Sequence, residues 1–431
     1  MFRLLSSQVR QLNSDDFKSN VVKLILGTGL AQVLPIAVLP ILTRMYSPED
    51  FGIFAIYMAV AGILGVVATG RYELSIVLPD NDKEASGIFG VCLMITLIVS
   101  IGSFFILLFF HDFFRELLSL PRASQILFLV PFSVFIAGLL QSLSYYNIRN
   151  KLFKDLSVSK VMLGSGTATS QTMGGMIPSI SGFGLSLGYL LGQIFSIIYL
   201  AVKSRNLFIR NQFEFHRLRA LAKKYKKFPL LSAPGALLDT FAAQIPVFLI
   251  NNSYSASIAG QFSLALRIIN VPLGLMGAAI SQVFLQKVVA LDNTKPQEVR
   301  SVVLNLAGML ALIISPLVIV SYLFGEELFV FIFGPEWQIA GSFAVPISLV
   351  VSVRFIVSPL SSVLAIERNL KYAIFWQASY FISTSLALVY ASQFSVHTFL
   401  IVFVLNELLM YLFYFCLILV GANSYSITNA D

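Results

Sequence analysis

The chain has 431 residues, of which 57% are hydrophobic and only 12% charged, with a mean hydropathy of +0.84. Soluble domains carry roughly 25% charged residues, so this composition excludes a soluble globular enzyme and indicates an all-α polytopic membrane protein. The net charge of +8 then has to be read along the membrane, and the two cysteines, Cys92 and Cys416, lie in apolar runs where packing explains them.

The opening stretch "MFRLLSSQVRQLNSDDFKSN" is too polar for a signal peptide, so the first apolar run is expected to be kept as a span. Apolar runs of about 20 residues, enough to cross a bilayer as helices, then recur to the end of the chain. Twelve spans are predicted: 21–43, 51–70, 86–110, 125–147, 161–178, 183–202, 229–250, 259–285, 301–324, 341–361, 373–391 and 397–420. The fifth, "VMLGSGTATSQTMGGMIP", is mostly small and polar. It is required because removing it would invert every later loop. In the sixth, Gly184, Gly188 and Gly192 are four apart, a spacing that lets helix backbones approach closely.

Basic residues test the layout. With the N-terminus cytoplasmic, 24 of the 29 lysines and arginines fall on the inner side, and only Arg44, Arg115 and Arg122 on the outer. This bias predicts that both termini are cytoplasmic. It makes the positive charge an orientation signal and a contact for anionic lipid headgroups, not a nucleic-acid footprint.

The longest inner segment, at 203–228, divides the spans six and six. Domains are therefore expected at 1–202 and 229–431, joined by this basic linker. Three echoes relate the halves. "YSPEDFGIF" from Tyr46 and "YSASIAGQF" from Tyr254 share Y-S-x-x-x-x-G-x-F at an offset of 208. Pro121 and Pro335 follow at an offset of 214, and "RNKLF" from Arg149 and "RNLKY" from Arg368 at 219. Halves with an even number of spans enter the membrane from the same side. Their symmetry axis should then run along the membrane normal, as in parallel-repeat transporters with a central site.

"LPILTRMYSPEDFGIFAIY" followed by "GRYELSIVLPDNDKEA" resembles the polysaccharide-export branch of the multidrug/oligosaccharidyl-lipid/polysaccharide exporter superfamily, which contains the Wzx-type flippases of O-antigen and capsule synthesis. The resemblance extends over essentially the whole chain. It implies a MATE-like fold and location in the bacterial inner membrane. It also implies movement of polyprenyl-diphosphate-linked oligosaccharides from the cytoplasmic to the outer leaflet by alternating access. Expected partners are that lipid-linked oligosaccharide, membrane lipids and the polysaccharide polymerase machinery. No cofactor is expected beyond H⁺ or Na⁺ as a coupling ion.

Four charges lie well inside the predicted spans: Asp239, Arg267, Arg354 and Glu407, all in the second half. Charges at membrane depth cost at least about 2.5–3.5 kcal/mol each, so they line a cavity or pair with one another. Arg267 and Arg354 are candidate contacts for an anionic headgroup, because the planar guanidinium stays charged and binds phosphate bidentately. Arg71, near Glu73 at the cytoplasmic mouth, is a third. Asp239 and Glu407 are candidates for cation coupling, with Asn270 and Asn406 as further polar groups of that half. The plain alternative is two structural pairs, Asp239 with one arginine (Arg267 foremost) and Glu407 with the other. Asn in the repeated "RN" pair is expected to bond a helix end, leaving the arginines as inner-loop anchors.

No G-x-x-x-x-G-K-[ST] is present, so no P-loop is built in. His111, His216 and His397 are scattered without metal-ligand spacing. Two rival functions remain: a cation-coupled multidrug exporter of the same fold, and a membrane glycan polymerase or ligase. The intramembrane arginines disfavour the first, and the short outer loops the second.

Overall fold

The computed structural model describes Gly29 and residues 32–119, 124–177, 181–205, 215–294, 298–365 and 370–427. The first part of the first predicted span, at 21–28, 30 and 31, lies outside these residues, as do Pro121, Arg122, Arg368 and positions 206–214 of the linker. Helices dominate, in chain order α1 Leu39–Met45, α2 Pro48–Val67, α3 Asp82–Phe109, α4 His111–Leu117, α5 Leu129–Arg149, α6 Phe153–Gly175 and α7 Ser181–Lys203. The order continues with α8 Phe215–Lys224, α9 Lys227–Ser253, α10 Ala256–Thr294, α11 Val299–Phe333, α12 Gln338–Val357, α13 Leu370–Ala391 and α14 Val396–Ile427. Among the described residues, ten helices are long and apolar enough to cross a membrane, and each coincides with a predicted span. The fifth predicted span is helical too, as α6, but it is too polar to be one of those ten.

The chain forms two compact units. The first holds 1–45, 60–115 and 121–234, and the second holds 46–59, 116–120 and 235–431.

In the first unit α7 lies directly on α6. A Cβ on Gly188 would sit 2.6 Å from the backbone nitrogen of Gln171, and one on Gly192 would sit 2.6 Å from that of Thr167. The spaced glycines thus serve a contact inside the chain, where small residues let backbones meet. At one end of the unit, Gly70 and Arg71 both adopt left-handed backbone angles, which end α2 and start the short turn Tyr72–Ser75. Asn81 caps α3 by accepting the Lys83 amide at 2.8 Å. Arg149 holds this loop by donating to the carbonyls of Pro79 and Asp80 and to the Asp82 carboxylate. Asn150 donates to the Tyr146 carbonyl at 3.0 Å, so the "RN" pair here is a loop anchor and a helix-end bond.

In the second unit, the two Y-S-x-x-x-x-G-x-F copies meet each other. Ser47 caps α2, its hydroxyl accepting the Asp50 amide while Asp50 accepts from the Ser47 amide and hydroxyl. This reciprocal cap, with Pro48 at the first helical position, is worth roughly 1 kcal/mol. Ser255 does the same job for α10, accepting the Ile258 amide at 3.2 Å. The two glycines then cross. A Cβ on Gly52 would fall 1.8 Å from the Ala256 carbonyl oxygen, and one on Gly260 would fall 1.9 Å from that of Pro48. Each copy's glycine faces the other copy's third residue. Phe54 and Phe262 end the motif as buried core residues, and Phe51 meets the enclosed Trp337 edge-on at 4.9 Å. Nearby, Asn251 donates to the Leu118 carbonyl at 2.7 Å, which fastens segment 116–120 to the end of α9.

Candidate functional site

α12, α13 and α14 of the second unit each contribute one polar side chain to a cluster inside the spans. Arg354 donates from Nε to Glu407 Oε2 at 2.9 Å and from Nη2 to Glu407 Oε1 at 2.9 Å. Tyr380 completes the set, donating to Glu407 Oε1 at 2.6 Å and accepting from Arg354 Nη2 at 3.1 Å. Glu407 is fully buried, whereas the Arg354 side chain keeps 21% of its exposure. Aromatic rings wall the triad. Trp376 stacks on Tyr380 at 5.0 Å and on Tyr414 at 3.9 Å, with Tyr411 edge-on at 5.6 Å. Excluding water and lipid in this way strengthens the pairing, because a low local dielectric favours charge-assisted hydrogen bonds.

The guanidinium is therefore fixed along one edge. Among the described residues its Nη1 makes no hydrogen bond, and Arg354 borders a cleft of about 250 Å³ between α10 and α12. Asn270, Ser281 and Ser358 lend that cleft polar atoms, and Gly274 and Gly277 leave it open on the α10 side. An immobilised cation with a spare donor, facing a cavity lined by hydroxyl and amide groups, is suited to hold an anion.

The other expected site residues are placed differently. Asp239, on α9, is half-buried and accepts from Gln377 Nε2 at 2.8 Å. Among the described residues no ion pair joins it to Arg267, and Glu407, expected to share a cation with it, has both oxygens engaged by Arg354 and Tyr380. Of the two structural pairs weighed from the sequence, Glu407 with an arginine is present. Asp239 instead has an amide. Arg267 lies on α10, half-buried and engaged, three residues before Asn270. Asn406 is committed to packing, accepting from Ser383 at 2.6 Å and donating to Thr384 at 3.0 Å.

Arg71 belongs to the first unit. Its Nη1 lies 3.5 Å from the buried Glu73 carboxylate, its side chain is 28% exposed, and its buried Nε has no hydrogen-bond partner among the described residues. Glu73 also accepts a hydrogen bond from Thr69.

Sequence reasoning missed Gln377 and Tyr380. They are three apart on α13 and therefore on one face, and each holds one of the two intramembrane carboxylates. The signal was present in "WQASYF", a polar pair at helical spacing in an otherwise apolar run.

The sequence pattern of the family described as "Polysaccharide biosynthesis protein" matches residues 41–342. The chain belongs to that family. A member-like relative is the succinoglycan biosynthesis transport protein ExoT of Rhizobium meliloti (strain 1021), 23% identical over 318 residues. The match covers 71% of this chain but 60% of that relative's length. Solved structures with the same fold include an inward-facing multidrug resistance MATE transporter of the MOP superfamily, with a TM-score of 0.71 at 14% identity over 92% of this chain and 95% of that one. The lipid II flippase MurJ, in an inward closed conformation, gives a TM-score of 0.72 at 13% identity over 91% and 86%. The chain is thus a multi-pass membrane protein with a MATE-like helical fold, and the resemblance drawn from its sequence is borne out.

Proposed function

We propose that this protein is a flippase that carries polyprenyl-diphosphate-linked oligosaccharide units from the cytoplasmic to the outer leaflet of the bacterial inner membrane. The observation that carries the reading is the arginine fixed by Glu407 and Tyr380 at membrane depth, which also lines a cleft. A diphosphate headgroup needs such a contact while it is out of water. Family membership and the likeness to a succinoglycan biosynthesis transport protein support a glycan cargo over a drug. The basic-residue bias supports cytoplasmic termini, and six spans on each side of the linker support two halves that rock in alternating access. In that cycle the crossing of Gly52 and Gly260 seals the outer side. Arg267 and Arg71 supply further headgroup contacts along the route. Asp239, which keeps a single neutral partner, takes the coupling H⁺ or Na⁺.

Reconstitution with a fluorescent polyprenyl-diphosphate oligosaccharide and a leaflet-accessibility assay tests this. The chain should accelerate exchange between leaflets. Arg354→Ala should slow it by roughly 10–100-fold, the weight of one charge-assisted hydrogen-bonded contact, with Arg354→Lys recovering only part. Export of lipophilic cations with no exchange of the lipid-linked sugar would overturn the proposal in favour of drug export.

A further inference from the structure

The short helix α8 is amphipathic, and its two faces are distinct in the structure. Leu218 and Leu221 are buried in the core of the first unit, beside Tyr72, Ile88 and Leu200. Polar ties fix the helix from the same side. Tyr72 donates its hydroxyl to the Ala222 carbonyl at 2.9 Å, Lys224 is paired with Glu84, and Tyr225 donates to Glu84 Oε1 at 3.0 Å. The positions 218, 221, 222 and 225 that make these contacts follow the helical period. The outward positions are His216, Arg219, Ala220 and Lys223, continued by Lys226 and Lys227, and all six are exposed.

Among the described residues, the side chains of Arg219, Lys223, Lys226 and Lys227 take part in no salt bridge or hydrogen bond. Four unpaired cations along α8, the turn after it and the start of α9 produce a field that the described residues do not neutralise. Immediately after them, Leu230 and Leu231 in the first turns of α9 are 66% and 75% exposed. Cations followed by large exposed apolar side chains match a bilayer surface in order, headgroups first and acyl chains next. We propose that the outward face of α8 is a docking surface for net-negative phospholipid headgroups of the adjoining leaflet, with Leu230 and Leu231 entering the acyl region beside them. The protein's own contacts hold the cations in register, so little ordering entropy is lost on binding.

The test reads membrane contact directly and does not depend on transport. Ala220→Cys carries a fluorescent label in a Cys416→Ala background, Cys92 being buried, and the full chain is placed in nanodiscs. Quenching by an aqueous quencher should fall by roughly fivefold on going from phosphatidylcholine to phosphatidylglycerol, the partition given by about one basic residue near an anionic surface. High salt should reverse the change. Arg219→Gln, Lys223→Gln, Lys226→Gln and Lys227→Gln together should abolish the difference between lipids. Equal quenching in both lipids would overturn the proposal and show a merely solvated face. A difference that survives the fourfold variant would overturn it too, by assigning the effect to other residues.

Discussion

Among the described residues each unit carries one arginine–glutamate pair, and the two are built in opposite ways. Arg71 and Glu73 are two residues apart and meet loosely, at 3.5 Å through one nitrogen. Arg354 and Glu407 are 53 residues apart and meet through two bonds of 2.9 Å each. Nearness in sequence works against the first pair, since i,i+2 side chains do not face each other and Arg71 is held in a left-handed conformation. Distance helps the second, because three packed helices fix where each group sits. A carboxylate and a tyrosine thus turn Arg354 into a positioned donor, whereas Arg71 has a single, longer contact to its carboxylate.

Substitutions should separate the pairs sharply. Glu407→Ala leaves Arg354 without a counter-charge inside the spans and should cost about 3–5 kcal/mol, seen as a steep loss of thermal stability in nanodiscs. Replacing both partners with methionine should recover most of that loss while abolishing transport. A Glu407→Ala protein as stable as wild type would remove the distinction between the pairs. Tyr380→Phe should cost less, about 1.5–3 kcal/mol. It should also weaken the apparent affinity for the lipid-linked sugar more than the maximal rate, because the arginine then lacks one anchor.

Arg71→Gly should cost less than Glu407→Ala. It leaves the buried Glu73 without its counter-charge, but Thr69 still donates to that carboxylate and releasing a left-handed non-glycine residue gains about 1 kcal/mol. Transport should fall as well, and a stability loss as large as that of Glu407→Ala would make Arg71 structural. Asp239→Asn should change stability by less than about 1 kcal/mol, since an amide can still accept from Gln377. The variant should nevertheless lose any pH or Na⁺ dependence of flipping; dependence that survives would exclude Asp239 as the coupling group.

The exposed Lys224–Glu84 pair should show the smallest effect. The hydrogen bond to Glu84 raises the pKa of the Lys224 ammonium above the ordinary lysine value. The pair therefore contributes below that ordinary value for as long as Glu84, whose pKa the same bond lowers, stays ionised, and is lost as pH rises through the elevated one. Lys224→Met should loosen α8 slightly at neutral pH and make no difference under strongly alkaline conditions, as read by hydrogen exchange of its amides.

The fold was legible wherever hydropathy alone decides, which is why ten spans coincide with helices. Helix ends were not. α10 runs on to Thr294 and α11 to Phe333, beyond the predicted 285 and 324, because a helix need not stop where the apolar run does. The intramembrane charges were visible because lipid makes them costly. Their pairing was not, since it depends on which helix faces lie together, and neither Gln377 nor Tyr380 is unusual enough to attract notice alone. The repeated motif was visible as an echo. Its chemistry, a serine cap and a glycine crossing, required both copies in place.

That crossing has a consequence for motion. Where a Cβ would fall 1.8 Å from Ala256 O or 1.9 Å from Pro48 O, each glycine has only a hydrogen, aimed at a carbonyl. Such Cα–H···O contacts are worth about 0.5–1 kcal/mol each. The joint is thus demanding in shape yet weak in energy. A single added methyl at position 52 or 260 leaves no room for the crossing, whereas in the native chain the joint costs little to part and to re-form.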